Sequence, residues 1–140
     1  MNAITNRIGM FPARLEALKG ARAFLESFCA DAGVSRQACL KLNLVVEELF
    51  LNTVKHGHRG GSDAPVWIAL GSAGGNIRMT YEDCAPPFNP FAEATREMME
   101  ALAGARREGG LGVLLANALA TQSEYAYLFG RNRIRLCLNN

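Results

Sequence analysis

Two consecutive helical patterns occupy residues 12–57, and together they restrict the chain to a layered fold. The first predicted helix runs from Pro12 to about residue 32, with apolar residues at three- and four-residue spacing. Gly33 suits the left-handed conformation that ends a helix. Ser35 then offers an N-cap for a second predicted helix of about 36–57. Each helix carries an apolar stripe that must be covered by another layer.

Alternating apolar and polar residues predict five strands around these helices. The first covers residues 3–10. The other four are marked by Val66, Ile68 and Leu70; by Ile77, Met79 and Tyr81; by Tyr125, Tyr127 and Phe129; and by Ile134, Leu136 and Leu138. The Gly71–Asn76 and Gly130–Asn132 stretches read as turns within antiparallel pairs. A third helix is predicted from Leu111 to Leu119, and one more at about 92–104.

The resulting order, β-α-α-β-β-(loop)-α-β-β, predicts an α/β fold of two layers. We expect an α/β sandwich whose mixed, mostly antiparallel sheet has its helices on one face. The length of 140 residues predicts a single domain, 1–140.

Composition excludes some classes of function. The net charge of +2, from 15 basic and 13 acidic residues, is too balanced for a dedicated nucleic-acid binder. No apolar run is long enough for a membrane span, and the first residues lack the pattern of a signal peptide. The four cysteines form no CxxC motif, and we expect buried free thiols in a reducing cytoplasm.

The second predicted helix carries a narrow polar line. At about 100° per residue, Glu48, Asn52 and Lys55 fall on one stripe that has leucines on its shoulder. Such a line faces either open water or a site. A carboxylate, an amide oxygen and an ammonium group that converge would suit hydrated Mg²⁺ and phosphates.

Two histidines, His56 and His58, end the same helix and invite a metal interpretation. Residues two apart on a helix end seldom converge, and no further ligands stand nearby in the sequence. We therefore favour capping or exposed histidines over a transition-metal site.

Asp83 stands where a predicted strand ends and the run Cys84-Ala85-Pro86-Pro87 begins. Its carboxylate would accept hydrogen bonds from an exocyclic amine such as that of adenine. The alternative is a local turn in which Asp83 bonds its own backbone.

A glycine cluster, Gly109-Gly110-Leu111-Gly112, leads directly into the predicted third helix. Residues without Cβ at a helix start let backbone N–H groups approach a phosphate. A flexible hinge or close helix–sheet packing would explain the cluster equally well. No Gly-Lys-[Ser/Thr] follows, so the cluster is not a Walker A loop.

Taken in order, these motifs resemble the nucleotide-binding boxes of the GHKL (Bergerat-fold) ATP-binding superfamily, the histidine-kinase-like ATPase fold. The resemblance rests on Glu48-xxx-Asn52, on Asp83 before Pro-Pro-Phe-Asn-Pro, on Gly110-Leu-Gly112, and on Tyr-x-x-x-x-Gly-Arg-Asn-Arg at 125–133. Within the superfamily, the chain is most similar to the bacterial anti-sigma factor serine/threonine kinases.

The resemblance implies a role for each motif. Asn52 would hold the Mg²⁺ that bridges the ATP phosphates, and Glu48 would be the general base. Asp83 would bind the adenine amino group, with Ala85 and Pro87 beside it. Lys55 and His56 would reach phosphate, as would the cluster Gly109, Gly110, Leu111 and Gly112; residues 84–109 would form an ATP lid. Arg135 stands where relatives often have a small hydroxyl residue near adenine.

The implied function is that of an ATP-binding anti-sigma regulatory factor that phosphorylates a serine or threonine of an anti-anti-sigma antagonist. The implied partners are proteins, a sigma factor and that antagonist, and the family often forms homodimers. One alternative is a kinase-inactive module that keeps the fold and sequesters a partner protein; a metal-dependent hydrolase using His56, His58 and Asp83 ranks last. The sheet face bearing Trp67, Arg78, Thr80, Arg133 and Arg135 is either a partner or dimer surface or a solvated face.

Overall fold

The computed structural model describes residues 5–102 and 120–140 of the chain. Five strands form one sheet in the order β1-β2-β3-β5-β4, and all four neighbouring pairs are antiparallel. The strands are β1 (Thr5–Pro12), β2 (Pro65–Ala73), β3 (Asn76–Asp83), β4 (Gln122–Leu128) and β5 (Arg131–Asn139). The predicted α/β fold is confirmed, with a sheet that is antiparallel throughout rather than mixed.

The described helices are α1 (Leu18–Ala32), α2 (Arg36–Asn52) and α3 (Pro90–Leu102). A 3₁₀ turn, Leu15–Ala17, precedes α1, and a π-helical turn, Thr53–Gly57, continues α2. The predicted caps between α1 and α2 are present. Gly33 adopts a φ of 67°, and the Ser35 hydroxyl accepts a hydrogen bond of 3.1 Å from the Ala38 N–H.

Several predicted boundaries were wrong. Pro12 ends β1 opposite Pro65 instead of starting a helix, because the β1–β2 ladder extends to both prolines. Gly71 lies within β2, and the turn to β3 is formed by Gly74 and Gly75, whose φ angles of 58° and 80° favour glycine. Arg131 and Asn132, which we placed in a turn, begin β5. The turn before β5 is Phe129–Gly130.

The helix predicted at about 92–104 corresponds to α3, although residues 103 and 104 lie outside the described ranges. The helix predicted from Leu111 to Leu119 also lies outside the described residues. Among the residues that are described, no helix is both long and apolar enough to cross a bilayer.

The core lies between the sheet and helices α1 and α2. Alternate residues of the three central strands point into it, among them Ile68, Met79, Tyr81 and Leu136. Their sequence neighbours point away from the helices and form a second surface, the open face. Its outward residues include Ile8, Met10, Trp67, Ala69, Arg78, Thr80, Glu82, Glu124, Arg131, Arg133 and Arg135. Ile8 and Met10 are 75% and 66% exposed.

All four cysteines are free thiols, as expected, but they are not all buried. Cys29 is buried, Cys39 and Cys137 are half-buried, and Cys84 is exposed in the loop after β3. Burial, together with the Cys39 thiol, raises the pKa of Cys29 to about 12, so this thiol stays protonated and unreactive near neutral pH.

Candidate functional site

A cavity of about 160 Å³ lies where the end of α2 meets the end of β3 and the start of β5. Leu49 and Ile134 give it apolar walls, and the loop after β3 covers one side. Its lining also includes Asn52, Thr53, His56, Gly57, Tyr81, Asp83, Ala85, Pro86, Pro87, Phe88, Pro90 and Asn132. The cavity is therefore apolar with a few polar groups directed into it, which is typical of a small-molecule site.

Five of the site residues predicted from sequence meet at this cavity, namely Asn52, His56, Asp83, Ala85 and Pro87. Two others do not line it. Glu48 is half-buried one helical turn before Asn52, and Lys55 is exposed. The predicted phosphate cluster, Gly109, Gly110, Leu111 and Gly112, lies outside the described residues, as does the last part of the proposed lid, 84–109.

The π turn explains why Lys55 leaves the polar line that the sequence predicted. The N–H of His58 donates to the carbonyl of Thr53 at 3.0 Å, five residues back, so each turn here holds more residues than an α-helical turn. The spacing of about 100° per residue therefore no longer applies after Asn52. As a result His56, rather than Lys55, lines the cavity.

Asp83 is held at the edge of the cavity by three hydrogen bonds. Its Oδ2 accepts from the Thr53 hydroxyl at 2.8 Å. Its Oδ1 accepts from Asn132 Nδ2 at 2.8 Å and from the Ala85 N–H at 3.2 Å. The last bond is the local turn considered as an alternative above. Because Asp83 makes that turn and also lines the cavity, the two interpretations are compatible.

Thr53 and Tyr81 extend this network into the core. The Tyr81 hydroxyl lies 2.6 Å from Thr53 Oγ1, and burial raises the pKa of Tyr81 well above its usual value. Tyr81 therefore keeps its proton, and we infer that it donates to Thr53 while Thr53 donates to the carboxylate. Through this pair of hydrogen bonds the neutral Tyr81 fixes the rotamer of the Asp83 carboxylate.

Asn132 connects Asp83 to the loop that follows it. Besides Asp83, the carbonyls of Ala85 and Pro86 lie 3.1 and 3.0 Å from its Nδ2, so the two N–H groups are shared among three acceptors. Its Oδ1 accepts from the Phe88 N–H at 3.0 Å and from the Tyr125 hydroxyl at 2.5 Å. Asn132 is only 3% exposed, so the side chain acts as a buried clamp on residues 83–88.

Sequence reasoning missed Thr53, Tyr81 and Asn132 as members of the site. The run Tyr-x-x-x-x-Gly-Arg-Asn-Arg contained a signal for the last of them, because its tyrosine and asparagine are the two residues that bond each other across the β4–β5 hairpin. A buried asparagine amide requires polar partners. An asparagine at an inward strand position just after a turn glycine therefore indicates such a network.

Replacing Asn132 with alanine is expected to lower the free energy of unfolding by about 2–4 kcal/mol, since it removes partners from several buried polar groups at once. Urea unfolding followed by circular dichroism measures the change. Asn139→Ala, an exposed asparagine on the same strand, is the matched control and should stay within about 0.5 kcal/mol of the parent chain. Equal losses in the two variants would contradict the clamp.

The end of the π turn approaches the loop so closely that a side chain would not fit. A Cβ built on Gly57 would lie 2.6 Å from the Cβ of Ala85. Both residues line the cavity. Glycine at position 57 is therefore required by close approach, and the first residues after Asp83 are packed directly against the helix end.

The end of α2 supplies an oxygen ligand without a competing partner. The side-chain amide of Asn52 has no hydrogen-bond partner within the described ranges, and it faces the cavity half-buried. An amide oxygen is a suitable ligand for Mg²⁺, which usually keeps several waters and substrate phosphates around one or two protein ligands. Across residues 5–102 and 120–140, no group of three or more His, Cys, Asp or Glu side chains could hold a metal ion by itself.

Arg135 does not lie near the cavity, contrary to the position that the resemblance gave it. It faces Thr80 across the β3–β5 ladder and lies 3.5 Å from Glu124 on the open face. Strand alternation is the reason, because Ile134 and Asn132 take the inward positions of β5. Arg135 is therefore on the wrong side of the sheet to contact a base bound in this cavity.

Comparison with known proteins identifies a family and similar solved structures. The sequence model of the family described as "Histidine kinase-like ATPase domain" matches residues 11–138. The crystal structure of the RsbU and RsbW domains of Rv1364c from Mycobacterium tuberculosis is similar with a TM-score of 0.66 and 20% identity. The match covers 96% of this chain but only 32% of that chain, and at this identity it concerns the fold alone. No curated protein matches.

Proposed function

Since this chain belongs to the histidine kinase-like ATPase domain family of the GHKL superfamily, we propose that it binds ATP with Mg²⁺ and phosphorylates a protein partner. The acceptor would be a serine or threonine of an anti-anti-sigma antagonist. The chain itself would be an anti-sigma regulatory factor acting in the cytoplasm, where sigma factors work.

One observation carries the proposal: a single cavity joins the end of α2 to the end of β3. An ATP molecule placed with its adenine at Asp83 would extend its phosphates toward Asn52 and His56. Asp83 is positioned to bind the base, because Thr53, Asn132 and the Ala85 N–H fix both of its oxygens and leave one acceptor site on Oδ2 for an amine. Ile134 and Leu49 would contact the purine faces.

Several residues of this chain would together bind the phosphates and their Mg²⁺. Asn52 would offer its amide oxygen to Mg²⁺, which neutralises phosphate charge when it is bound. His56, exposed at the mouth of the cavity, would reach the phosphates. The resemblance assigns phosphate binding to Gly109, Gly110, Leu111 and Gly112 as well.

Glu48 is proposed as the general base. Its carboxylate has no hydrogen-bond partner among the residues described, and it lies one helical turn before Asn52. The acceptor hydroxyl oxygen would form a bond to the γ-phosphorus while the bond from that phosphorus to the ADP oxygen breaks. The hydroxyl proton would pass to Glu48. The products are a phosphorylated partner and ADP.

The proposed partners are inferred from the resemblance of this chain to other proteins. The motifs of this chain resemble anti-sigma factor kinases, and the similar solved structure includes an RsbW domain. A sigma factor and an anti-anti-sigma antagonist are therefore the proposed partners, with a homodimer as the proposed assembly. The alternative, a module that sequesters a partner without phosphoryl transfer, keeps the same fold and differs only in chemistry.

Two measurements, made one after the other, distinguish the kinase from the sequestering module. Isothermal calorimetry with ATP and Mg²⁺ should give saturable binding of one nucleotide per chain. Incubation with ATP labelled in its γ-phosphate, and with candidate antagonists encoded beside this chain, should then label the antagonist. No heat of binding would favour the sequestering module, whereas binding without label on any antagonist would refute the kinase.

A further inference from the structure

The open face carries more positive charge than its own carboxylates can balance. Four arginines point outward from its strands, Arg78, Arg131, Arg133 and Arg135, against two glutamates, Glu82 and Glu124. Four positive minus two negative charges leave +2 on one side of the sheet. That excess equals the formal net charge of the whole chain, so the formal charges of all other residues sum to zero.

The ion pairs show where the excess lies. Arg131 pairs with Glu82 at 3.2 Å. Glu124 is shared by Arg133 and Arg135 at 3.4 and 3.5 Å. The guanidinium group of Arg78 has no ion-pair or hydrogen-bond partner within the described ranges. One full guanidinium charge, at Arg78, and one more, shared between Arg133 and Arg135, therefore lack a counter-ion.

Arg78 and Arg135 are diagonal neighbours around Thr80. Thr80 lies opposite Arg135, and Arg78, two residues away on β3, lies opposite Cys137. Two shallow grooves of about 690 and 540 Å³ both include Arg78 and Thr80 in their lining. Like charges at this spacing are unfavourable alone. A carboxylate above Thr80 would meet both guanidinium groups and the threonine hydroxyl.

The other half of the open face is apolar. Ile8 lies opposite Ala69, which in turn lies opposite Thr80, so one cross-strand row leads from an exposed isoleucine to Arg135. Met10 extends the apolar half beside Trp67. The Trp67 ring is itself stacked under Arg131, whose Cζ lies 3.8 Å from the ring centroid.

We propose that the open face docks an acidic, amphipathic helix of a partner protein. Its carboxylates would lie over Arg78, Thr80 and Arg135, and its apolar side chains would cover Ile8 and Met10. Five strands about 4.8 Å apart give a face about 20 Å wide, which a helix of about 14 residues spans. The proposal does not depend on the proposed function, because the open face and the cavity lie on opposite sides of the sheet.

The same observations disfavour two other occupants. A nucleic acid would satisfy the arginines but would leave Ile8 and Met10 facing its phosphates and water. A second copy of this chain would bring two faces of the same net sign together, with Arg78 again uncompensated. Charge complementarity therefore favours an acidic partner, and the exposed aliphatic residues favour a protein.

The chain's single tryptophan gives the experiment its readout. Trp67 emission is followed, without nucleotide, during titration with a helical peptide of about 14 residues that has leucines on one face and glutamates on the other. We expect a saturable change in emission. The double variant Arg78→Glu/Arg135→Glu should bind about tenfold more weakly. Ile8→Ser should also weaken binding, and Lys19→Glu, a charge reversal on the exposed surface of α1, should not.

Each comparison has an outcome that overturns the proposal. The same peptide with lysine in place of glutamate, and a single-stranded oligonucleotide, serve as competitors. Binding of the lysine peptide as tightly as the glutamate peptide, or displacement of the glutamate peptide by the oligonucleotide, contradicts an acidic protein partner. Sedimentation at the titration concentration tests whether the chain associates with itself. Self-association that buries Trp67 would assign the open face to a second copy of this chain. Circular dichroism confirms that each variant is folded.

Discussion

Phosphoryl transfer by a Glu48→Gln variant is expected to be about a thousandfold slower than by the parent chain, within the range that a positioned general base contributes. Glutamine keeps the size and polarity of the side chain but cannot take the hydroxyl proton. ATP affinity should change by less than about threefold, because Glu48 does not line the cavity. Single-turnover labelling of the antagonist measures the first quantity and calorimetry the second.

The matched control is the preceding residue. Glu47 is also a half-buried glutamate of α2, but its carboxylate pairs with Arg22 at 2.7 Å. Glu47→Gln should therefore leave phosphoryl transfer within about twofold of the parent chain. If the two variants lose transfer equally, helix stability rather than proton abstraction is the cause. If Glu48→Gln loses nothing, Glu48 is not the base.

Asp83→Asn is expected to weaken ATP binding by about a hundredfold, since a charge-assisted acceptor is replaced by a neutral amide. The fold should survive, because the introduced carbonyl oxygen can still accept from Asn132 and from the Ala85 N–H. The Thr53 hydroxyl, which now donates to Asp83, can donate to the Leu49 carbonyl 2.9 Å away and accept one hydrogen of the introduced NH₂ group. The introduced NH₂ group would then meet the purine. It would be a donor facing the amino group of adenine but a partner for the carbonyl of guanine.

The variant should therefore lose its preference for ATP over GTP as well as its affinity for ATP. Calorimetry with ATP and with GTP, each in the presence of Mg²⁺, measures the dissociation constants of both nucleotides. Asp63→Asn, an exposed aspartate that pairs with Arg14, is the control and should bind ATP like the parent chain. A variant at position 83 that binds ATP with unchanged affinity would remove Asp83 from the site.

Sequence patterns predicted the layers of the fold because each pattern has a local cause. The spacing of apolar residues in α2, the Ser35 cap and the Gly33 conformation are set within a few residues of chain. The same is true of Asp83, since a polar residue that ends an alternating strand and precedes prolines is visible from its neighbours alone. The cavity then brings it to Asn52, 31 residues earlier (83 − 52), as the topology requires.

The missed features depend on contacts between distant residues. Asn132 bonds Asp83 across a separation of 49 residues, and no local sequence pattern predicts that hydrogen bond. The π turn at 53–57 ends at Gly57, which packs closely against Ala85 of a distant segment. Arg135 was misplaced because one position along a strand changes the face, and motif spacing alone does not fix that register.

The alternation within β5 has a consequence for how this hairpin can change. Arg131, Asn132 and Arg133 are consecutive, yet the asparagine serves the cavity while both arginines serve the open face. A single backbone strand thus separates the cavity from the open face. One residue inserted after Phe129 and absorbed by β5 would turn both guanidinium groups inward against Tyr81 and expel the amide. Two inserted residues would return each side chain to its own face but would displace Asn132 by two positions from Asp83. The length of this hairpin is therefore fixed by the cavity as well as by the faces of the sheet.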